Sequence, residues 1–396
     1  MPDFDVDAVR KQFPALSEGA AHFDGPGGSQ TPQAVADAVA RTMVSAISNR
    51  GRLTPAERRA DDIVIEARQA MADLLGADPG GVVFGRSMTQ LTYDISRALA
   101  KTWGPGDEVI VTKLDHDANV RPWVQAAEAA GATVRWLAFD PATTELDDIT
   151  PLLSDRTKLV AVTAASNLLG TRPDLDALAA AVRRTDALLY VDGVHLTAHA
   201  PVDMAFADFY ACSPYKFFGP HCGVLAASPA LLETITPDKL LPSSNAVPER
   251  FEFGTLPYEL LAGTTAAIDF IAGLGGVGEN RRERLLSSLM LLEIHEDTLR
   301  AELEFRLAAI DAVTLHGKAV RRTPTLLFSV AGHEPAAVSA ALAARGVNAP
   351  SGSFYAIETA RHLGLGDTGA TRAGLAPYTN QSDVDRLVEA VEHLVN

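Results

Sequence analysis

Lys216 and Asp192 each stand just past a short apolar run. Ala187 to Val191 leads into Asp192, and Phe209 to Cys212 leads into Ser213-Pro214-Tyr215-Lys216. A third run, Gly223 to Ala227, follows the turn residues Gly219-Pro220. Short apolar runs bounded by Gly and Pro read as buried strands, so an acid and a lysine sit at strand ends in apolar surroundings. Burial disfavours the charged ammonium, and an amine freed of its proton attacks an aldehyde to form a Schiff base. A carboxylate in the same setting needs a cationic partner. The plain alternative is a solvated lysine beside a turn. Against it, Lys216 is followed by Phe217, Phe218 and Gly219-Pro220, with no acid close by.

Pyridoxal 5'-phosphate uses such a pair: a lysine for its aldehyde, and a carboxylate that keeps its ring nitrogen protonated so that the ring accepts carbanion electrons. The segments Asp192-Gly193-Val194-His195 and Ser213-Pro214-Tyr215-Lys216 resemble the signature of fold-type I, class V aminotransferases, nearest to the cysteine desulfurase and selenocysteine lyase branch. The resemblance runs from about Phe23 to about Leu394. It implies pyridoxal 5'-phosphate as cofactor, Lys216 as the aldimine lysine and Asp192 as partner of the ring nitrogen. It places His195 and Asn167 near the ring oxygen, and His116 stacked on the ring. Met88, Thr89, Ser213 and Tyr215 are implied at the phosphate. Arg372, in Thr371-Arg372-Ala373-Gly374-Leu375, matches the arginine that grips the substrate carboxylate, with Asn167 beside it. A planar, always-charged fork suits that task. Thr255 matches a residue that reaches the phosphate in the other subunit, which implies a homodimer with shared sites.

Two departures from the branch bear on the reaction. Asp115-His116-Asp117-Ala118-Asn119 replaces a Glu-His-His-Ala-Asn run, so Asp117 stands for the second His. A carboxylate there would touch substrate or act as acid or base; its plain reading is a capping acid before the next helix. In Pro350-Ser351-Gly352-Ser353-Phe354-Tyr355-Ala356, Tyr355 occupies the place of the sulfur-accepting cysteine, and Pro350 that of an arginine. Cys212 and Cys222 lie elsewhere and read as buried, reduced thiols.

Several elements must converge to build one site. Val82 to Phe84, Glu108 to Thr112, Thr133 to Phe139 and Lys158 to Ala164 read as strands alternating with helices over 91–99, 119–130 and 175–182. Such alternation predicts an α/β fold, a mainly parallel seven-stranded sheet covered on both faces, with ligands at the C-terminal strand ends. The helix opening near Thr89 offers free N–H groups for a phosphate, or a simple cap. The loop His22 to Ser29 lacks a dinucleotide fingerprint, and the resemblance puts it at the site's rim. Helices are expected over 5–13, 32–48, 55–75, 261–272, 281–310 and 383–395. Four glycines within 273–278 make the best internal boundary. We expect a large cofactor domain over 15–275 and a smaller α/β domain from 1–14 and 276–396, with strands at 313–316, 325–330 and 372–376.

The chain has 396 residues, 47% hydrophobic, with 34 Lys+Arg against 50 Asp+Glu and a net charge of −16. That supports a large core and argues against nucleic acid or anionic membranes as partners. No run is long enough to span a bilayer and no leader pattern opens the chain, so a cytoplasmic protein is expected. The expected function is a PLP-dependent enzyme of aminotransferase or lyase type acting on a small amino acid. The alternatives are a cysteine desulfurase or selenocysteine lyase and, in another class, a non-catalytic PLP-binding scaffold.

Overall fold

The computed structural model describes residues 4–395; Met1-Pro2-Asp3, which open the acidic N-terminus, lie outside them. Seven strands form the main sheet. From one edge to the other they are Val82–Gly85, Gly223–Ala227, Phe209–Cys212, Leu188–Asp192, Thr157–Thr163, Glu108–Thr112 and Thr133–Leu137. The last five run parallel, and Gly223–Ala227 is antiparallel to both of its neighbours. Side chains alternate between the faces of a strand. Thus Ile110, Val160, Val191 and Val224 enter one core while Val109, Leu159, Tyr190 and Leu225 enter the other. Apolar on both faces, these strands had to be sandwiched between helices.

The helix Arg281–Ala308 leads to a second, antiparallel sheet. It is ordered Ser351–Gly352, Ala370–Gly374, Thr325–Val330, Val313–His316. Its core includes Leu303, Phe328 and Leu387. Ala21 and Phe23 join that core, and Ala21–His22 pairs with Val347–Asn348. Phe13 instead packs in the large core, edge-on to Phe218, Phe270 and Tyr378. Among the described residues no helix is long and apolar enough to cross a membrane.

Several element ends differ from expectation for local reasons. The helix expected from Asn119 starts at Arg121, because Asp117–Asn119 is one tighter turn capped by the His116 ring. The helix expected through Ser48 stops at Met43, where the Ser45 hydroxyl turns back onto the Thr42 carbonyl. The strand expected over 372–376 lies at Ala370–Gly374. Helices Pro335–Ala343 and Ile357–His362 are additions.

Two features fix where the helix Met88–Ala100 begins. Arg68 forks onto Glu252 at 2.9 and 2.8 Å, and Glu252 also accepts the Phe84 N–H at 2.9 Å, tying down the preceding strand. Gly223 lets the Ser87-Met88 backbone lie against its own strand; a Cβ there would come within 2.2 Å of the Ser87 carbonyl carbon. Backbone on both sides leaves no cheap relief. Gly223→Ala is therefore expected to lower stability by about 1–3 kcal/mol. Urea unfolding checks this: the midpoint should fall with the slope unchanged.

Candidate active site

A cavity of ≈ 660 Å³ lies between the C-terminal strand ends and the second sheet. Asp192 closes its strand with the side chain buried, and its Oδ1 accepts the Val194 N–H at 2.9 Å. Burial pushes its carboxyl up to about 6, with the turn N–H and Lys216 pulling the other way. Lys216 ends the turn Pro214–Lys216 that follows the next strand. Its Nζ donates to the Pro26 carbonyl at 2.5 Å, from the Gly-rich loop expected at the rim. Burial, then the nearby Arg372, lowers its amine to about 7, against Asp192.

Arg372 arrives from the second sheet, in register with Leu327. It is 1% exposed, yet among the described residues no carboxylate lies within ion-pair distance. Its Nη1 donates to the Asn167 carbonyl at 2.8 Å, its guanidinium sits 3.7 Å from the Phe354 ring centre, and its Nε has no partner. Burial lowers its pKa to about 9, with Asp24 opposing. Asn167 donates to the Phe354 carbonyl at 2.9 Å and leaves its Oδ1 unpartnered. His195 is buried with Nε2 between the Thr323 and Thr325 hydroxyls, at 2.9 and 3.0 Å. Burial first, then His199, Arg372 and Lys216, holds its pKa well below the usual range. His116 is likewise neutral, lowered to about 4 by burial and Lys216. Its ring stacks on Tyr355 at 5.4 Å.

At the cavity's other end, Ser87 caps the helix by accepting the Gln90 N–H, and Met88 donates its N–H to Ser213 Oγ at 3.2 Å. The cap expected as an alternative thus exists two residues before the exposed Thr89, which still lines the cavity. Tyr215 lines it too, stacked at 4.6 Å on His221. Asp117 does not cap the turn; it pairs with Arg121 at 2.7 Å, and Arg121 reaches Glu358 at 3.0 Å. These side chains are partly exposed, so such pairs contribute only about 0–1 kcal/mol. Asp117 and Arg121 both line the cavity.

One cavity therefore gathers all the expected site residues except Thr255, which is exposed and outside it. Sequence reasoning missed Arg121, Thr323, Thr325 and Asp115. Arg121 lay within reach, four residues beyond Asp117 on a turn leading into a helix. Asp115, named without a role, is buried beside Thr112 and Asn119, and burial pushes it up to about 8. The threonines carry no local signal.

A lysine near 7 reacts at neutral pH, whereas solvated lysines need about 10.4. Reductive methylation of Lys216 by formaldehyde, followed by peptide mass spectrometry, is expected to rise through about pH 7. Because Arg372 contributes to the depression, Arg372→Leu is expected to move that midpoint upward.

The model of the aminotransferase class-V family matches residues 21–387. An uncharacterized Mycobacterium tuberculosis protein is 33% identical over 99% of both chains. A probable cysteine desulfurase of Mycolicibacterium paratuberculosis is 33% identical over 99% of this chain and 58% of its own length. The crystal structure of the Escherichia coli cysteine desulfurase CsdA, in an S-sulfonic acid form, superposes with a TM-score of 0.87 at 28% identity, covering 100% of this chain and 99% of that one. With the family model spanning nearly the whole chain, the chain belongs to the class-V aminotransferases, a family of pyridoxal-phosphate enzymes acting on amino acids.

Proposed function

We propose that the cavity holds pyridoxal 5'-phosphate on Lys216 and grips the carboxylate of a small amino acid with Arg372, in a transferase or lyase reaction. The observation that carries this is the buried, unpaired Arg372 beside a lysine of lowered pKa. A buried guanidinium without a carboxylate is costly unless an anion completes it.

The residues fit the cofactor. The cavity is of ligand size. With the Met88 and Gln90 N–H groups turned to Ser213 and Ser87, the Thr89 N–H is the one in the helix's first turn without a protein partner among the described residues. Such an N–H, at the positive end of the helix dipole, suits a phosphate. Ser213 and Tyr215 would join it, while Asp192 would pair with the ring nitrogen. His195 and Asn167 would hold the ring oxygen, and the neutral His116 ring would stack. When bound, the group supplies an electron sink for negative charge at the substrate's Cα. Lys216 Nζ, neutral above about pH 7, takes and returns the proton at that carbon. Asp192, near 6, stays mostly ionised at pH 7. Asp117 and Arg121, partly exposed at the cavity wall, would meet the substrate.

A second reading is a cysteine desulfurase, as the names of several relatives suggest. Tyr355 weighs against a dedicated one, because a persulfide does not form on tyrosine, and both cysteines are buried with thiols pushed up by burial. We also propose a homodimer in which Thr255 serves the partner's site. The division near 275 is proposed on the separate core of the second sheet; Leu285, Leu289 and Leu292 just past it still pack in the large core, as Phe13 does, while Arg10 pairs with Asp383 at 2.7 Å.

Borohydride reduction after incubation with pyridoxal phosphate is expected to leave a pyridoxyl adduct on Lys216 that vanishes in Lys216→Ala. An unmodified Lys216 would leave the scaffold reading in its place. Across a panel of amino acids scored for keto acid, sulfide and racemised product, Arg372→Leu is expected to raise KM for the best substrate about 100-fold, the worth of one charge-assisted contact. Efficient sulfide release from cysteine, unchanged in Tyr355→Phe, would favour the desulfurase reading instead.

A further inference from the structure

The small-domain segment that precedes and opens the Thr325–Val330 strand places two hydroxyls against the site. Thr323 and Thr325 are 2% and 0% exposed, and both Oγ1 atoms face one nitrogen of a cavity-lining histidine. Two buried hydroxyls at one edge of a ring call for a reason, because a valine of the same shape packs as well where no partner is required. We propose that Thr323 and Thr325 are positioning residues that hold His195 with its proton on Nδ1, so that Nδ1 donates into the cavity.

The assignment follows from where each hydroxyl proton goes. Thr323 has a carbonyl within reach, Gly170 O at 3.4 Å, and the Thr325 hydroxyl at 3.4 Å as a second acceptor. Thr325 accepts from Thr323 in that geometry, and among the described residues the acceptor left for its own proton is His195 Nε2 at 3.0 Å. A neutral imidazole has one donor and one acceptor nitrogen. With Nε2 accepting, the proton belongs on Nδ1, which has no protein partner among the described residues. The reverse arrangement would leave the Thr325 proton buried with nowhere to go. The neutral ring this needs agrees with burial first, and then with the neighbouring His199, Arg372 and Lys216, all of which lower its pKa. His199 itself is anchored elsewhere, its Nδ1 2.9 Å from the buried Glu296.

The consequence reaches across the two sheets. His195 follows Asp192 on the large sheet, while its tautomer is set by residues more than a hundred positions later. A donor aimed into the cavity suits an oxygen that carries negative charge, such as a ring oxygen of the cofactor. That use of Nδ1 rests on the function proposed above; the tautomer does not.

Nitrogen-15 histidine labelling of the cofactor-free protein tests the tautomer, with the His195 signals assigned by their loss in His195→Gln. The expected result is a neutral ring protonated on Nδ1. Thr325→Val should lose that preference, and Thr325→Ser should restore it. Thr325→Val should also weaken pyridoxal phosphate binding about tenfold, near the worth of one hydrogen bond, with Ser restoring it. A proton on Nε2 in the unsubstituted protein would overturn the proposal, and that measurement needs no variant to fold. An Nδ1 tautomer that persists in a folded Thr323→Val/Thr325→Val double variant would overturn it as well. Failure of Lys216 labelling is a separate result, because the tautomer is read without cofactor.

Discussion

Desolvation of charge is the constraint on which this structure turns. Asp192 and Arg372 are buried and Lys216 is partly so, and among the described residues none of the three forms an ion pair with a neighbour. Each is held instead by neutral partners: Pro26 O for the amine, a turn N–H for the acid, a carbonyl and an aromatic face for the guanidinium. Close pairing would have quenched all three. Carbonyls and rings hold them in place while leaving their charge and proton affinity available.

Keeping these groups dry requires two sheets. The parallel strands deliver Asp192 and Lys216 to one edge, because each must end where its apolar run ends. The antiparallel sheet delivers Arg372 from a fully buried strand. Between them runs a seam of single contacts. Asn167 reaches Phe354, the Asp117 N–H reaches the Tyr355 carbonyl at 2.8 Å, and His195 reaches the two threonines. Each is modest, about 1 kcal/mol net for a typical hydrogen bond, so the seam aligns the sheets without welding them.

What was legible in the sequence follows from how local its cause is. Asp192 and Lys216 could be read because apolar runs and Gly-Pro turns announce strand ends within a few residues. Arg372 has no such local signature, and only the family resemblance picked it out. Its burial arises from packing against Phe354 and Asn167, contacts no periodicity encodes. Thr323 and Thr325 were invisible for the same reason: two ordinary threonines in a strand-forming stretch. The misplaced helix start near Asn119 is instructive in another way. His116 and Asp117 were weighed for chemistry, while the ring of His116 was also capping the turn through Ala118 N–H at 3.0 Å. One residue served local structure and the site at once.

The loop that carries Tyr355 is where the sequence resemblance to the desulfurase branch breaks. Phe354 and Tyr355 both adopt left-handed backbone, φ 50 and 61, which costs non-glycine residues about 1–3 kcal/mol each. That cost is met by what the conformation places: one ring against the Arg372 guanidinium and the next against His116. A cysteine at 355 would keep the nucleophile but lose the ring that stacks on His116. Tyrosine keeps the stack and forgoes sulfur transfer. The loop thus braces Arg372 and His116, two side chains that line the cavity with Lys216. On the function proposed above, a leaving group would depart without a covalent acceptor on this loop, and the proton at the substrate carbon would be left to Lys216, with the Asp117–Arg121 pair lining the same cavity.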